Sequence, residues 1–305
     1  QGDIAVANNT IYVNPYGQYI YAYTTGGSFK WKFDKQANGG EALEEGSGPF
    51  VIPGTDTTGI GNKIYVGSYN GNVYCLQDEG SSAKMLWRYT VPDDVANEVN
   101  LRKPDSPTSV YSPPAVKDNV VYFGAVDGYL YAVQDNGTSA ALKWRYRGQR
   151  TAHGGGGDQG HKEILCRPLI YNNAIYFTAW SGFVIGVNMD GSKKWETQAV
   201  TSFYYSPANS DPQGLAGRVF VVGANQWNTN AHSGAACFDA NTGGIVWSTQ
   251  NRQSTWAIAG ASEDNVPGRT WKHFYTMTTN GYFMAFDAAA GGDTPVWRIH
   301  NGEKS

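Results

Sequence analysis

Residues 121–133 read VYFGAVDGYLYAV, and Trp144 stands eleven residues further on. Apolar and small or polar residues alternate on both sides of Asp127-Gly128. That is the pattern of two half-buried strands joined by a tight turn. Working outward, the same pattern returns at IYVNPYGQYIYAY (11–23), IYVGSYNGNVYCL (64–76), IYFTAWSGFVIGV (175–187) and FYTMTTNGYFMAF (274–286). A split copy occupies VFVVGA (219–224) and SGAACF (233–238). Six tryptophans, Trp31, Trp87, Trp144, Trp195, Trp247 and Trp297, close the six copies at spacings of 50–57 residues.

Each copy carries its own turn chemistry. Asn70-Gly71, Asp127-Gly128, Ser181-Gly182 and Asn280-Gly281 sit between two strand-like runs, where a tight turn needs positive φ. A second turn follows each hairpin, as at Gly26-Gly27, Asn136-Gly137, Asp190-Gly191 and Gly291-Gly292. The alternation also predicts a short strand before each hairpin, over residues 3–7, 49–53, 112–116, 167–171, 206–209 and 256–261. That makes four strands per repeat, in blades at about 1–34, 48–90, 111–147, 165–198, 205–249 and 255–299. A four-stranded unit of this size cannot bury both faces alone, and radial packing buries them. A sandwich needs about 100 residues per unit. The predicted fold is therefore all-β: a single-domain β-propeller of six four-stranded blades, either complete or part of a seven- or eight-bladed ring. The six tryptophans are expected to be structural anchors packed between blades.

Composition agrees. The 305 residues include 38 Gly and 14% aromatics, and only 16% are charged. A helical bundle and a disordered chain are both excluded. No run of 18 apolar residues exists, so no helix spans a membrane. The net charge of −3 gives no field for nucleic acid. The chain opens in a strand-like run at Ile4, so any targeting segment is expected to have been removed, and a periplasmic or secreted location is expected. Cys75 and Cys237 align with Ala22, Ala132, Gly186 and Ala285 in a small-residue slot. They and Cys166 are predicted to be buried, free thiols.

The segments beginning Ala132-Val133-Gln134-Asp135, Cys237-Phe238-Asp239-Ala240 and Ala285-Phe286-Asp287-Ala288, each running on to its tryptophan, resemble the tryptophan-docking motif of PQQ-like repeats. In that motif the order runs Ala-x-Asp-x-x-Thr-Gly-x-x-x-Trp. The resemblance covers essentially the whole chain and implies the propeller of the quinoprotein alcohol dehydrogenase-like superfamily, BamB-like branch. In the dehydrogenases of that superfamily, PQQ lies under a disulfide of adjacent cysteines, beside a calcium ion and an aspartate base. This sequence has no adjacent cysteines, and no calcium ligands or catalytic residue carry over. No cofactor is expected, with PQQ and calcium as the alternative.

The long connections 34–48, 91–111 and 148–165 and the insertion 225–232 fall on one face of such a ring. Long structured insertions carry function more often than other loops. The candidate binding residues there are Arg150, His153, Asp158 and His161 in the Gly-rich loop, Tyr204 and Tyr205, and Trp227 and His232 in the insertion. His153, Asp158 and His161 are also weak candidates for a metal site, at a spacing that matches no standard set. The Gly run lacks the Gly-Lys-Ser/Thr of a phosphate loop. Trp180, at a hairpin turn, is a further aromatic candidate, but a ring that covers neighbouring loops is expected there more than at Trp227. Three functions fit: a non-catalytic scaffold holding a protein partner or larger complex through this face, a PQQ-dependent oxidoreductase or fragment of one, and a carbohydrate-binding propeller. The absence of a catalytic constellation favours the first.

Overall fold

The computed structural model describes residues 4–40, 46–93, 108–148, 163–198, 217–223, 234–248, 260–263, 272–277, 282–291 and 294–300. The chain divides into two compact units, one of residues 1–147 and 163–165, the other of 148–162 and 166–305. In the first unit, the first sheet runs β1 (Ile4–Ala7), β2 (Thr10–Val13), β3 (Tyr19–Thr24) and β4 (Phe29–Asp34). The second runs β5 (Phe50–Ile52), β6 (Lys63–Gly67), β7 (Asn72–Asp78) and β8 (Ala83–Thr90). The third runs β9 (Ala115–Lys117), β10 (Val120–Gly124), β11 (Tyr129–Asp135) and β12 (Ala140–Arg147). In the second unit, the fourth sheet runs β13 (Leu169–Tyr171), β14 (Ala174–Thr178), β15 (Phe183–Asn188) and β16 (Lys193–Gln198). The fifth has β17 (Arg218–Gly223), β18 (Gly234–Asp239) and β19 (Ile245–Ser248). The sixth has β20 (Gly260–Glu263), β21 (Lys272–Met277), β22 (Tyr282–Asp287) and β23 (Trp297–His300). Within every sheet the strands lie side by side in chain order. The strand expected over 206–209 and the turn at Asn280-Gly281 lie outside the described residues.

The turns divide their chemistry differently from the sequence expectation. Asn70, Asp127 and Ser181 are not left-handed; only Gly71, Gly128 and Gly182 are, at φ of 80°, 84° and 86°. The Gly71 N–H donates to Ser68 O, and the Ser68 N–H donates to Asn72 O. This is a type I turn closed by a left-handed glycine, a geometry that needs positive φ at one residue only. Two consecutive left-handed residues occur instead between the first two strands of three sheets, at Asn8-Asn9, Asp118-Asn119 and Asn172-Asn173. Asn and Asp tolerate that region because their short polar side chains bond locally.

Each anchor tryptophan lies directly across from the small slot. The strand partners are Ala22 with Trp31, Cys75 with Trp87, Ala132 with Trp144, Gly186 with Trp195, Cys237 with Trp247, and Ala285 with Trp297. An aromatic ring from the second strand of the sheet (Tyr12, Tyr65, Tyr122, Tyr176, Phe220 or Tyr275) sits 5.6–6.0 Å from the indole. The two rings close over the slot, so it admits little. At Gly186 an added Cβ would lie 2.9 Å from Trp195 Cε2. In the first five sheets the register slips by one immediately after the slot. The residue before the tryptophan is the extra one, a β-bulge that bends the outer strand.

The core lies between consecutive sheets. Tyr12, Ile20, Ala22, Trp31 and Phe33 of the first sheet pack on Ile64, Val66, Tyr74 and Leu76 of the second. Tyr65, Val73, Cys75 and Trp87 repeat the arrangement on Val121, Phe123, Tyr131 and Val133. In the second unit, Tyr176, Val184 and Trp195 pack on Val219, Val221 and Phe238. Phe220, Val222 and Cys237 then pack on Phe274, Met284 and Phe286. Each fully buried Val, Leu, Ile, Phe or Met among these contributes about 1.5–3 kcal/mol. Cys75, Cys166 and Cys237 are buried and free, and burial pushes the Cys75 and Cys237 thiols up to about 12.

What receives the indole N–H differs between the units. Asp135 Oδ1 accepts from Trp87 Nε1 at 2.9 Å and from the Gly137 N–H at 2.8 Å. Its Oδ2 accepts from the Tyr65 hydroxyl at 2.8 Å and Lys63 Nζ at 2.9 Å. Burial opposes ionisation of Asp135, but Lys63, the Gly137 N–H, Trp87 and Tyr65 outweigh it and hold the carboxyl below its ordinary value. In the second unit, Trp195 Nε1 donates to the backbone oxygen of Ala240 at 2.8 Å, and Trp247 Nε1 to that of Ala288 at 3.1 Å. Asp78, Asp135, Ala240 and Ala288 all stand three residues beyond the slot. Asp239 and Asp287, which the repeat motif sets beside Asp135, stand one residue earlier and do a different job. Asp239 accepts from the backbone N–H groups of Asn241 and Thr242, and Asp287 from those of Ala289 and Ala290. Trp31 Nε1 is buried without a hydrogen-bond partner, whereas Asp78, at the position equivalent to Asp135, accepts from the Tyr12 hydroxyl, Lys30 and the Gly80 N–H.

Candidate functional site

In the first unit, the described ends of the long connections are locked onto the hairpins beneath them. After β4 the chain makes a 3-10 turn at Gln36–Asn38. The Gly39 carbonyl then accepts from Asn70 Nδ2 and Asn72 Nδ2, and that of Asn38 from Arg88 Nη1. Lys35 is fully buried, and its Nζ donates to Asn14 Oδ1 at 3.3 Å. Asn14 Nδ2 in turn donates to Ser47 O, while Ser47 Oγ accepts the Gly67 N–H at 2.7 Å. The connection after β8 is held in the same way, by the Val110 N–H on Ser68 O and the Val126 N–H on Ser109 O. The connection after β12 is held by the Ile164 N–H on Ala125 O. Gly124 is required there, since a Cβ on it would meet the Ile164 carbonyl at 2.5 Å.

At this end of the third sheet lies a cationic and aromatic cluster. The Arg145 and Arg147 guanidinium carbons sit 4.5 and 5.1 Å from the centre of the Tyr129 ring. Tyr131, two residues on, donates its hydroxyl to the buried Asp127 carboxylate, and the Tyr129 N–H donates to the same side chain at 2.9 Å. Burial, and then the Asp127 charge, push the Tyr131 hydroxyl well above its ordinary value. Arginine stacked on tyrosine presents donors and an aromatic face together, a combination enriched at protein interfaces. The run Trp144-Arg145-Tyr146-Arg147 carries it in the sequence, but only the register with Tyr129 shows that the two arginines share one ring.

The residues singled out from sequence, Arg150, His153, Asp158, His161, Tyr204, Tyr205, Trp227 and His232, lie outside the described residues. Trp180 is 5% exposed and part of the interior, in keeping with the covering role expected of it rather than an exposed aromatic. Among the described residues no three His, Cys, Asp or Glu side chains converge as a metal set, and no helix is long and apolar enough to cross a membrane.

Comparisons with known proteins agree with this architecture. The chain is 23% identical over 250 residues to outer membrane protein assembly factor BamB of Burkholderia pseudomallei (strain K96243), a match covering 78% of this chain and 52% of that protein. It thus spans about half the length of that curated relative. Among solved structures it is similar to BamB from Moraxella catarrhalis, with a TM-score of 0.68 and 16% identity over 98% of this chain and 76% of that one. It is also similar to quinohemoprotein alcohol dehydrogenase from Comamonas testosteroni, with a TM-score of 0.57 and 14% identity over 78% and 41% of the two chains. These likenesses give the β-propeller fold. Residues 18–291 match the family model of outer membrane protein assembly factor BamB, and this chain, with its PQQ-like repeats, belongs to that family.

Proposed function

We propose that this chain is a non-catalytic propeller module that binds a protein partner through its loop-bearing face. On this reading it works in the periplasm, as part of a complex that assembles outer-membrane proteins, and needs no cofactor. The observation that carries the proposal is the family match over residues 18–291. The face supports it physically. Loop ends pinned by backbone hydrogen bonds make a pre-ordered platform, and pre-ordering lowers the entropic cost of association. The stacked Arg145, Arg147 and Tyr129 offer a partner both hydrogen-bond donors and apolar area. In the second unit, Arg150, His153, Asp158, His161, Tyr204, Tyr205, Trp227 and His232 are proposed as further partner-contact residues.

A quinone cofactor fits these residues poorly. Two of the three cysteines fill the slots under Trp87 and Trp247, and no two cysteines are adjacent in the chain. The disulfide lid of a quinoprotein site therefore has no counterpart here.

Site-specific photo-crosslinking tests the reading. A photoreactive residue at position 150 or 227, two of the proposed contact residues, is compared with one at 172, in the turn between β13 and β14. The expected outcome is a discrete adduct with an outer-membrane assembly component from 150 or 227 and none from 172. Equal adducts from all three positions, or none from any, would sink the proposal.

A further inference from the structure

Outer strands of sheets leave a row of backbone N–H and C=O groups unpaired, and proteins guard such edges with charge, above all lysine. Five of the six outer strands here follow that rule. Strand β4 carries Lys30 and Lys32, β8 carries Lys84 and Arg88, and β12 carries Lys143, Arg145 and Arg147. Strand β16 carries Lys193 and Lys194, and β23 carries Arg298. Strand β19 reads Ile245-Val246-Trp247-Ser248 and carries no charge. The whole stretch 240–251 is uncharged. The bulged residue before the tryptophan is Lys30, Lys143 and Lys194 in the first, third and fourth sheets, Leu86 in the second and Val246 in the fifth, and of the two strands with an apolar bulge only β8 carries charges elsewhere along its length. Val246 is 39% exposed and Ile245 is 48% exposed. Among the described residues, β19 pairs with β18 on one side only.

We infer that the β19 edge is a docking site for an extended, uncharged segment of a partner protein, which adds to the fifth sheet as a further strand. The backbone itself selects the occupant. A row of alternating donors and acceptors is satisfied in full only by another strand, and exposed Ile245 and Val246 favour apolar or β-branched side chains beside them. A second copy of this chain is the weaker occupant. Four residues a side is a small part of the roughly 20–30 a side in a standard stable interface, whereas one extended segment needs no more. This inference rests on the edge alone and is independent of the loop-bearing face.

The test uses a fluorescein-labelled, end-capped peptide of three Thr-Val repeats, and a control in which the two central residues are proline. Binding is read by anisotropy, and protection of residues 245–248 by hydrogen exchange. Val246→Lys places at the edge the residue that three other sheets carry there, so it is expected to fold. Ile245→Lys, matching Lys193 by register, replaces it if a thermal melt shows otherwise. The expected result is binding of the Thr-Val peptide, at least tenfold weaker binding to the lysine variant, no binding of the proline peptide, and new protection at 245–248. Equal binding of the two peptides, or equal binding to wild type and variant, would overturn the inference. So would a dimer of the chain, seen by light scattering, that the lysine variant dissolves. Neither substitution touches the loop-bearing face, so the cross-linking result is read separately.

Discussion

Replacing Asp135 by alanine measures what one docking carboxylate contributes. The side chain is fully buried and takes four donors: Trp87 Nε1, the Gly137 N–H, the Tyr65 hydroxyl and Lys63 Nζ. Alanine leaves the indole and the hydroxyl buried without acceptors, at about 1–3 kcal/mol each. Lys63 is 31% exposed and can turn to water, so its loss is discounted. The Gly137 N–H lies in a turn and is rehydrated. The expected loss is about 3–5 kcal/mol, in the range for removing one partner of a buried pair. With a urea m-value of about 3 kcal/mol/M, this lowers the unfolding midpoint by about 1–1.7 M. Asp239→Ala is the comparison. That carboxylate is partly exposed, caps its own turn, faces Arg218 Nη1 at 3.7 Å in a partly exposed pair, and leaves Ala240 O in place for Trp195, so it should cost about 1 kcal/mol. Urea melts followed by tryptophan fluorescence and hydrogen exchange decide the matter. A loss below about 1.5 kcal/mol for Asp135→Ala, or equal losses for the two variants, would refute the reasoning.

Three further outcomes follow from the same geometry. Trp87→Phe should cost about 1.5 kcal/mol more than Trp31→Phe in the same melts, because only Trp87 loses a bond to a charged acceptor. The folded Asp135 carboxyl lies below its unfolded value of about 3.9. Its stabilisation is therefore fully present above about pH 5 and lost as pH falls through the folded value, and Asp135→Asn should flatten that part of the stability–pH curve. A thiol reagent at pH 8 should label no cysteine in the native chain and all three after denaturation, since the thiols are buried and raised; rapid native labelling would contradict that.

The fold was legible because the repeat tied a tryptophan to a small residue, and the register shows why. Position 22 and its equivalents face the indole directly, and a larger side chain would push the ring out. The turns were legible in place but not in kind. Asn-Gly and Asp-Gly proclaim a hairpin whether one or both residues turn left-handed, and here the paired left-handed residues were Asn8-Asn9, Asp118-Asn119 and Asn172-Asn173. The docking acceptor was half legible. Asp135 and Asp239 resemble each other as letters in a motif, but a one-residue offset from the slot sets one on an indole and the other on its own turn. The cluster of Arg145, Arg147 and Tyr129 depends on which residues a register sets face to face, and composition does not carry that.

The two kinds of acceptor also differ in how they are inherited. Where Asp135 holds Trp87, the interaction is written in one codon, and almost every change there breaks it. Where Ala240 and Ala288 hold Trp195 and Trp247, the oxygen belongs to the main chain, and the codon specifies only that the side chain be small. The second unit can therefore drift at these two docking positions while keeping both indole bonds. A family built on backbone acceptors can lose its sequence signature long before it loses its architecture.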